Sequence, residues 1–331
     1  MKALVYIAPE TLVLCDQPLP RPGNDEAVVG VEAVGICGSD MHAYLGHDER
    51  RPAPLVLGHE AAGTVRSGPR EGRRVTVNPL VTCMMCPACL SGRTNLCASR
   101  QIISMPPRPG AFAEQIAIPE RNLIAVPDEF PIDKAALCEP LACGWHAVRL
   151  AARASFVPLP AARALVIGGG AIGLGVALSL NAFGAGDIAI VEPNPVRRPA
   201  LERAGDFAIL ASADDGGPAG SYDVVVDAFG GEASRATASR AVRAGGVIVH
   251  IGLASAAGGL DVRRLTLQEV IFIGTYCYTM TDFADTFAAM VAGRLGPLDW
   301  FETRSLADGA QAFADIRAGR CASPKIVLRP A

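Results

Sequence analysis

The sequence predicts a two-domain α/β protein: a β-rich, barrel-like part followed by a doubly wound parallel sheet. Three observations predict it. At 331 residues the chain exceeds one ordinary core. Up to about residue 135, short β-runs are broken by Gly and Pro. From about residue 140, apolar strand-length runs alternate with helix-length segments.

Met1–Ile7 reads as a first strand, because Pro9, Glu10 and Asp16 interrupt its apolar run too soon for an export signal. Ala27–Val34, Gly63–Val65, Arg74–Val77 and Ala113–Ile118 follow as strands between turn residues, the pattern of a barrel-like domain. Ala164–Ile167, Ile188–Val191, Asp223–Asp227 and Val247–Ile251 are apolar enough for a parallel sheet covered on both faces. Asp282–Gly293 reads as a late helix and Lys325–Leu328 as a closing strand.

Composition excludes several classes of function. Half the residues are hydrophobic and 19% are charged, as in compact globular proteins. A net charge of −3 offers no positive field for nucleic acid. Ala164–Gly186 has 23 residues without a charge, but its seven glycines argue against a membrane span. With neither export nor membrane segment read, a cytoplasmic location is expected, where cysteines serve as metal ligands or core residues rather than disulfides.

The glycines have a specific pattern. Gly168, Gly170 and Gly173 form G-x-G-x-x-G between a strand and a helix, with Ile172 inside the turn. Gly168 suits a tight turn, Gly170 a close approach to pyrophosphate, and Gly173 tight helix–sheet packing. Glu192, 19 residues after Gly173, stands where a carboxylate bonds a ribose 2′-hydroxyl. It would repel a 2′-phosphate, so NAD is favoured over NADP. Arg197 and Arg198 lie either toward the adenosine end or on a solvated helix start.

Two cysteine- and histidine-containing sets stand apart. Cys83, Cys86, Cys89 and Cys97 form C-x2-C-x2-C-x7-C, which suits a closed tetrahedral zinc of structural type. Spacing alone leaves an iron–sulfur cluster as its rival. Cys37, Ser39 and His42, then His59 and Glu60, then Glu139, form the second set. With few strong ligands, it leaves a zinc position open to water or an alcohol.

Together, G-I-C-G-S-D-M-H at 35–42, G-H-E at 58–60, the four-cysteine loop and the glycine fingerprint resemble the zinc-containing medium-chain alcohol dehydrogenases over nearly the whole chain. Glu139-Pro140-Leu141-Ala142-Cys143-Gly144 is similar to the polyol (sorbitol-like) and threonine dehydrogenase branch. The resemblance implies a GroES-like catalytic domain over 1–140, completed by 296–331, with a Rossmann NAD-binding domain over 141–295. It implies two zinc ions per chain, and a homodimer or homotetramer formed through edge strands of the nucleotide domain.

For the open site, Cys37 and His59 are expected to bind zinc directly, with Glu60 as ligand or close carboxylate. Glu139 is expected to bind directly or through water. Ser39 would take the proton of the alcohol and pass it through the cofactor ribose to His42 and solvent; the pattern also allows a structural His42. Tyr44, Phe112 and Tyr276 are candidates to line the pocket. Gly274–Tyr278 resembles the segment where sorbitol dehydrogenases carry an arginine near the substrate, yet Cys277 stands there. The expected reaction is NAD-dependent oxidation of a secondary alcohol in a polyol or similar small substrate. A threonine 3-dehydrogenase, a sugar-acid dehydrogenase and a non-catalytic zinc- and nucleotide-binding redox regulator are the alternatives.

Overall fold

The computed structural model describes residues 1–330. The first half forms a seven-stranded, largely antiparallel sheet around the strand Glu26–Gly35, which pairs with Glu60–Ser67 on one side and Gln115–Pro119 along its outer half. Its other partner comes from the end of the chain: Lys325–Arg329 joins it antiparallel, with Val327 opposite Gly35. Phe301–Ser305 then adds to Lys325–Arg329 in parallel. The inner faces of these strands supply a core of small aliphatic residues closed by Tyr44, Phe112 and Phe313.

The second sheet has six parallel strands. From one edge their sequence order is Ala208–Leu210, Asp187–Val191, Arg163–Ile167, Tyr222–Asp227, Val242–His250 and Ile271–Gly274. The order reverses direction between Arg163–Ile167 and Tyr222–Asp227, the crevice where parallel sheets of this type bind nucleotides. Four expected strands match these with boundary shifts of a few residues. The uncharged stretch 164–186 resolves into a strand, a turn and the helix Ala171–Ala182. That helix is buried from Gly173 to Leu180 because it is covered on two sides, by the sheet and by the helix Cys138–Ala154. No helix among the described residues is long and apolar enough to cross a membrane.

The contact between those helices fixes part of the site. A Cβ at Gly144 would lie 2.6 Å from the carbonyl carbon of Gly175, so only glycine permits this close crossing. The crossing anchors Cys138–Ala154, whose first turn carries Glu139.

Candidate active site

Cys37 lies between the strand Glu26–Gly35 and the short helix Gly38–Tyr44, so its thiol opens the turn at the strand end. The backbone N–H of Cys37 donates to Asp40 (3.0 Å), and that buried carboxylate also accepts from Gly58 N–H (3.2 Å), tying two loops together. His59 and Glu60 then follow at the start of the adjacent strand.

The fold brings one donor atom each of Cys37, His59 and Glu60 within 4.8 Å of one another. Asp40 Oδ1 lies 3.4 Å from His59 Nδ1, near enough to orient the ring electrostatically, although the two are not aligned as a hydrogen bond. Nε2, on the other side, is 3.4 Å from Ser39 Oγ. A histidine steadied at one ring nitrogen by a carboxylate is the usual arrangement of a zinc ligand. Burial opposes a charge on His59, yet Asp40 and Cys37 outweigh it and hold its pKa well above the usual histidine range. The surroundings therefore favour positive charge, and the donor set fits a zinc ion.

Glu139, in the first turn of the helix Cys138–Ala154, lies close enough for its charge to interact with His59 and Glu60. Tyr278 donates its hydroxyl to Glu139 Oε1 (2.8 Å), and both residues are buried. Burial, and to a lesser extent repulsion from Glu60, push the Glu139 carboxyl up to about 7 against the attraction of His59 and Lys325. Lys325 donates to both oxygens of Glu60 at 2.6 Å and to Ile36 O at 2.8 Å. Asp40, Tyr278 and Lys325 were not singled out from the sequence. A lone lysine in a closing strand carries no motif, and its role emerges only when that strand pairs beside Gly35.

Cys83, Cys86, Cys89 and Cys97 come together, and none forms a disulfide. Cys83 Sγ lies 3.5 Å from Cys97 Sγ and 4.0 Å from Cys89 Sγ. Sulfurs about 2.3 Å from a tetrahedral zinc stand roughly 3.8 Å apart, so these thiols fit that ion. Backbone N–H groups of Cys83 and Cys86 donate to sulfur, support suited to thiolates.

At the glycine turn, Gly168 adopts φ +104°, and a Cβ on Gly173 would lie 1.7 Å from Gly168 O. Beside Gly170, at the helix N-terminus, a Cβ would meet nothing within 4 Å, leaving room for a phosphate. Ile172 is half-buried in the same first turn. Buried Glu192 accepts from Gly169 N–H (3.2 Å) and Asn194 N–H (2.8 Å). Arg197 Nη1 stands 3.9 Å from Glu192, and its buried Nε has no partner.

Other expectations are redistributed. Tyr44 and Phe112 do not line a pocket; their rings pack 5.1 and 5.9 Å from Phe313 in the core. Tyr276 lies instead beneath the Arg100 guanidinium. His42 is half-buried on the same helix as Ser39.

Residues 23–128 match the alcohol dehydrogenase GroES-like domain, and residues 171–292 match the zinc-binding dehydrogenase domain. The chain is 33% identical to L-galactonate-5-dehydrogenase of Escherichia coli (strain K12), covering 89% of this chain and 88% of that one. It is 32% identical to sorbitol dehydrogenase of Bacillus subtilis (strain 168), covering 85% and 83%. Among solved structures, acetophenone reductase from Geotrichum candidum NBRC 4597, in complex with NAD, superposes with a TM-score of 0.89 at 26% identity, covering 99% of this chain and 96% of that one. The chain belongs to the zinc-containing medium-chain alcohol dehydrogenase family, with a GroES-like and a Rossmann part. It is an oxidoreductase acting on CH–OH groups, and zinc and a nicotinamide dinucleotide are the cofactors of its family.

Proposed function

We propose that the protein oxidises a secondary alcohol of a polyol or similar small hydroxylated molecule to a ketone, reversibly and with NAD. The observation that carries this reading is the meeting of Cys37, His59 and Glu60 within 4.8 Å, with the buried Glu139 carboxyl close enough to interact with His59 and Glu60. The polyol and sugar-acid dehydrogenases among its relatives support the substrate class.

When bound, zinc would supply the Lewis acidity that makes an alcohol acidic near neutral pH, and NAD would supply the acceptor for its hydride. Cys37 and His59 hold the metal, with Asp40 orienting His59. Glu60 and Glu139 supply carboxylates on either side, each held by a partner, Lys325 and Tyr278. Ser39, beside His59, accepts the proton of the alcohol. His42 lies three residues on, on the same helix face, and delivers that proton to solvent. Cys83, Cys86, Cys89 and Cys97 hold the structural zinc. Gly168, Gly170, Ile172 and Gly173 receive the pyrophosphate, while Glu192, with Arg197 beside it, selects the 2′-hydroxyl of NAD.

We assign 1–140 with 296–331 to the catalytic domain and 141–295 to the nucleotide domain; the pairing of Lys325–Arg329 with Glu26–Gly35 supports that division. The exposed edge strand Ile271–Gly274, with Phe272 on it, supports a homo-oligomer, and the reading places the enzyme in the cytoplasm. The test is NADH formation across polyols, sugar acids and amino alcohols, with NAD and NADP, on protein of verified zinc content. Turnover of secondary alcohols in polyols or sugar acids supports the reading. Activity confined to L-threonine, or to primary alcohols, overturns it.

A further inference from the structure

Two arginines, Arg50 and Arg100, stand near Tyr276 and Cys277, the residues just before the Tyr278 that holds Glu139. Arg100 lies with its guanidinium carbon 4.8 Å from the centre of the Tyr276 ring. Its guanidinium donates to Cys97 O at 3.0 Å, and among the described residues no carboxylate pairs with it. Asn95 fixes the same wall by donating to Tyr276 O (2.8 Å). Arg50 comes from the loop that follows the helix Gly38–Tyr44. It is held by Asp48 through Nε (2.8 Å) and Nη2 (3.0 Å), and its charge also reaches Tyr276 and Cys277. Asp48 serves buried Arg51 as well, at 2.5 Å, so this one carboxylate is shared between two guanidiniums. Positive charge is therefore left over at Arg100, with Arg50 beside Tyr276 on a carboxylate that it shares.

The backbone directs that charge toward the reacting centre. Cys277 sits at φ +46°, a left-handed turn that sends Tyr276 toward Arg100 and Tyr278 toward Glu139. The Cys277 thiol lies within electrostatic reach of Glu139, Cys37 and Arg100 together. One short segment thus spans from the Arg100 guanidinium to the carboxylate beside the metal ligands.

We propose that Arg100, assisted by Arg50, binds an anionic end group on the substrate, so that the natural substrate is a polyol chain ending in a carboxylate or a phosphate ester rather than an uncharged alditol. The proposal rests on the dehydrogenase reading above. A planar guanidinium backed by an aromatic face presents its N–H fork outward, which suits either oxyanion. Held at one end by this charge, a substrate chain presents an inner hydroxyl, not its terminus, to the Cys37–His59 centre.

The test compares kcat/KM for aldonates, polyol phosphates and alditols of matched length and stereochemistry. Wild type, Arg100→Met, Arg100→Lys and Arg50→Gln are measured with NAD. The wild type is expected to favour one acidic class over its alditol by about 10- to 100-fold, the range of a charge-assisted hydrogen-bond pair. Arg100→Met is expected to erase most of that ratio, chiefly through KM, with partial recovery in Arg100→Lys and a smaller loss in Arg50→Gln. Whichever acid is preferred identifies the end group as carboxylate or phosphate. An alditol preferred by the wild type, or a ratio unmoved in Arg100→Met, overturns the proposal and leaves the dehydrogenase reading standing. No oxidation of any of the three classes overturns both.

Discussion

The Lys325 ammonium lies 2.6 Å from both oxygens of Glu60, so the last strand of the chain neutralises the residue that follows His59. Both side chains are buried. Burial works against the lysine charge, but Glu60 more than offsets it and raises the pKa of Lys325. Lys325→Met leaves a buried carboxylate unpaired, and such a loss costs about 3–5 kcal/mol. Urea denaturation of metal-free protein should show a drop of that order. Glu60→Gln added to Lys325→Met should recover part of it, and an unchanged midpoint would remove the pair from the account.

The four-cysteine loop does more than close on itself. Thr94 Oγ1 accepts from Met280 N–H (3.0 Å) and Asn95 donates to Tyr276 O (2.8 Å), so the loop supports the wall that carries Tyr278. Cys89→Ser should remove one zinc per chain, lower the Tm and raise KM, all measurable on one preparation. A lower Tm with an unaltered KM would separate the loop from the cleft.

Asp282 ties the helix Met280–Val291 to Cys138–Ala154, accepting from His146 Nδ1 (2.7 Å), Thr279 Oγ1 (2.6 Å) and Arg149. Burial opposes its charge, but His146 and Thr279 prevail and hold its pKa at about 2. Because the folded value lies below the unfolded one, its contribution is fully present above the ordinary carboxylate range. It is lost as pH falls toward 2, and is worth about 1–2 kcal/mol after allowance for solvent screening. Asp282→Asn should therefore lower stability at pH 7 and flatten the acid limb of the stability curve. Parallel curves for variant and wild type would contradict this.

Glu192 keeps its carboxylate fixed by two backbone N–H groups with Arg197 close by. Glu192→Ser should shift the NADP-to-NAD ratio of kcat/KM upward by about 10- to 100-fold, since a repelling charge is replaced and Arg197 is freed for the 2′-phosphate. The measurement is the pair of cofactor titrations at saturating substrate. A ratio that stays put would assign cofactor choice to other residues.

Local signals carried much of this protein's design. The glycine turn, the four-cysteine spacing and the Cys37 and His59 segments are contiguous, so their chemistry is visible in the sequence. Four of the six parallel strands are short apolar runs with clear punctuation and fall where the pattern puts them; the short edge strands Ala208–Leu210 and Ile271–Gly274 carry too little apolar pattern to be read. What the sequence concealed depends on distant pairing. Lys325 is an ordinary strand lysine until Lys325–Arg329 lies beside Gly35. Arg100 reads as a surface arginine until Tyr276 arrives beneath it. Tyr44 and Phe112 look like pocket residues by proximity in sequence, but Phe313 from a late helix claims both.

The central claim is that Cys37 and His59 hold a reacting metal distinct from the four-cysteine zinc. Its most direct measurement is NADH formation with a matched set of polyols and sugar acids by Cys37→Ala, on folded protein whose zinc content is determined on the same sample. The account predicts two zinc ions per chain in the wild type, one in the variant, and turnover reduced to background. Turnover that persists in a one-zinc Cys37→Ala protein would contradict it.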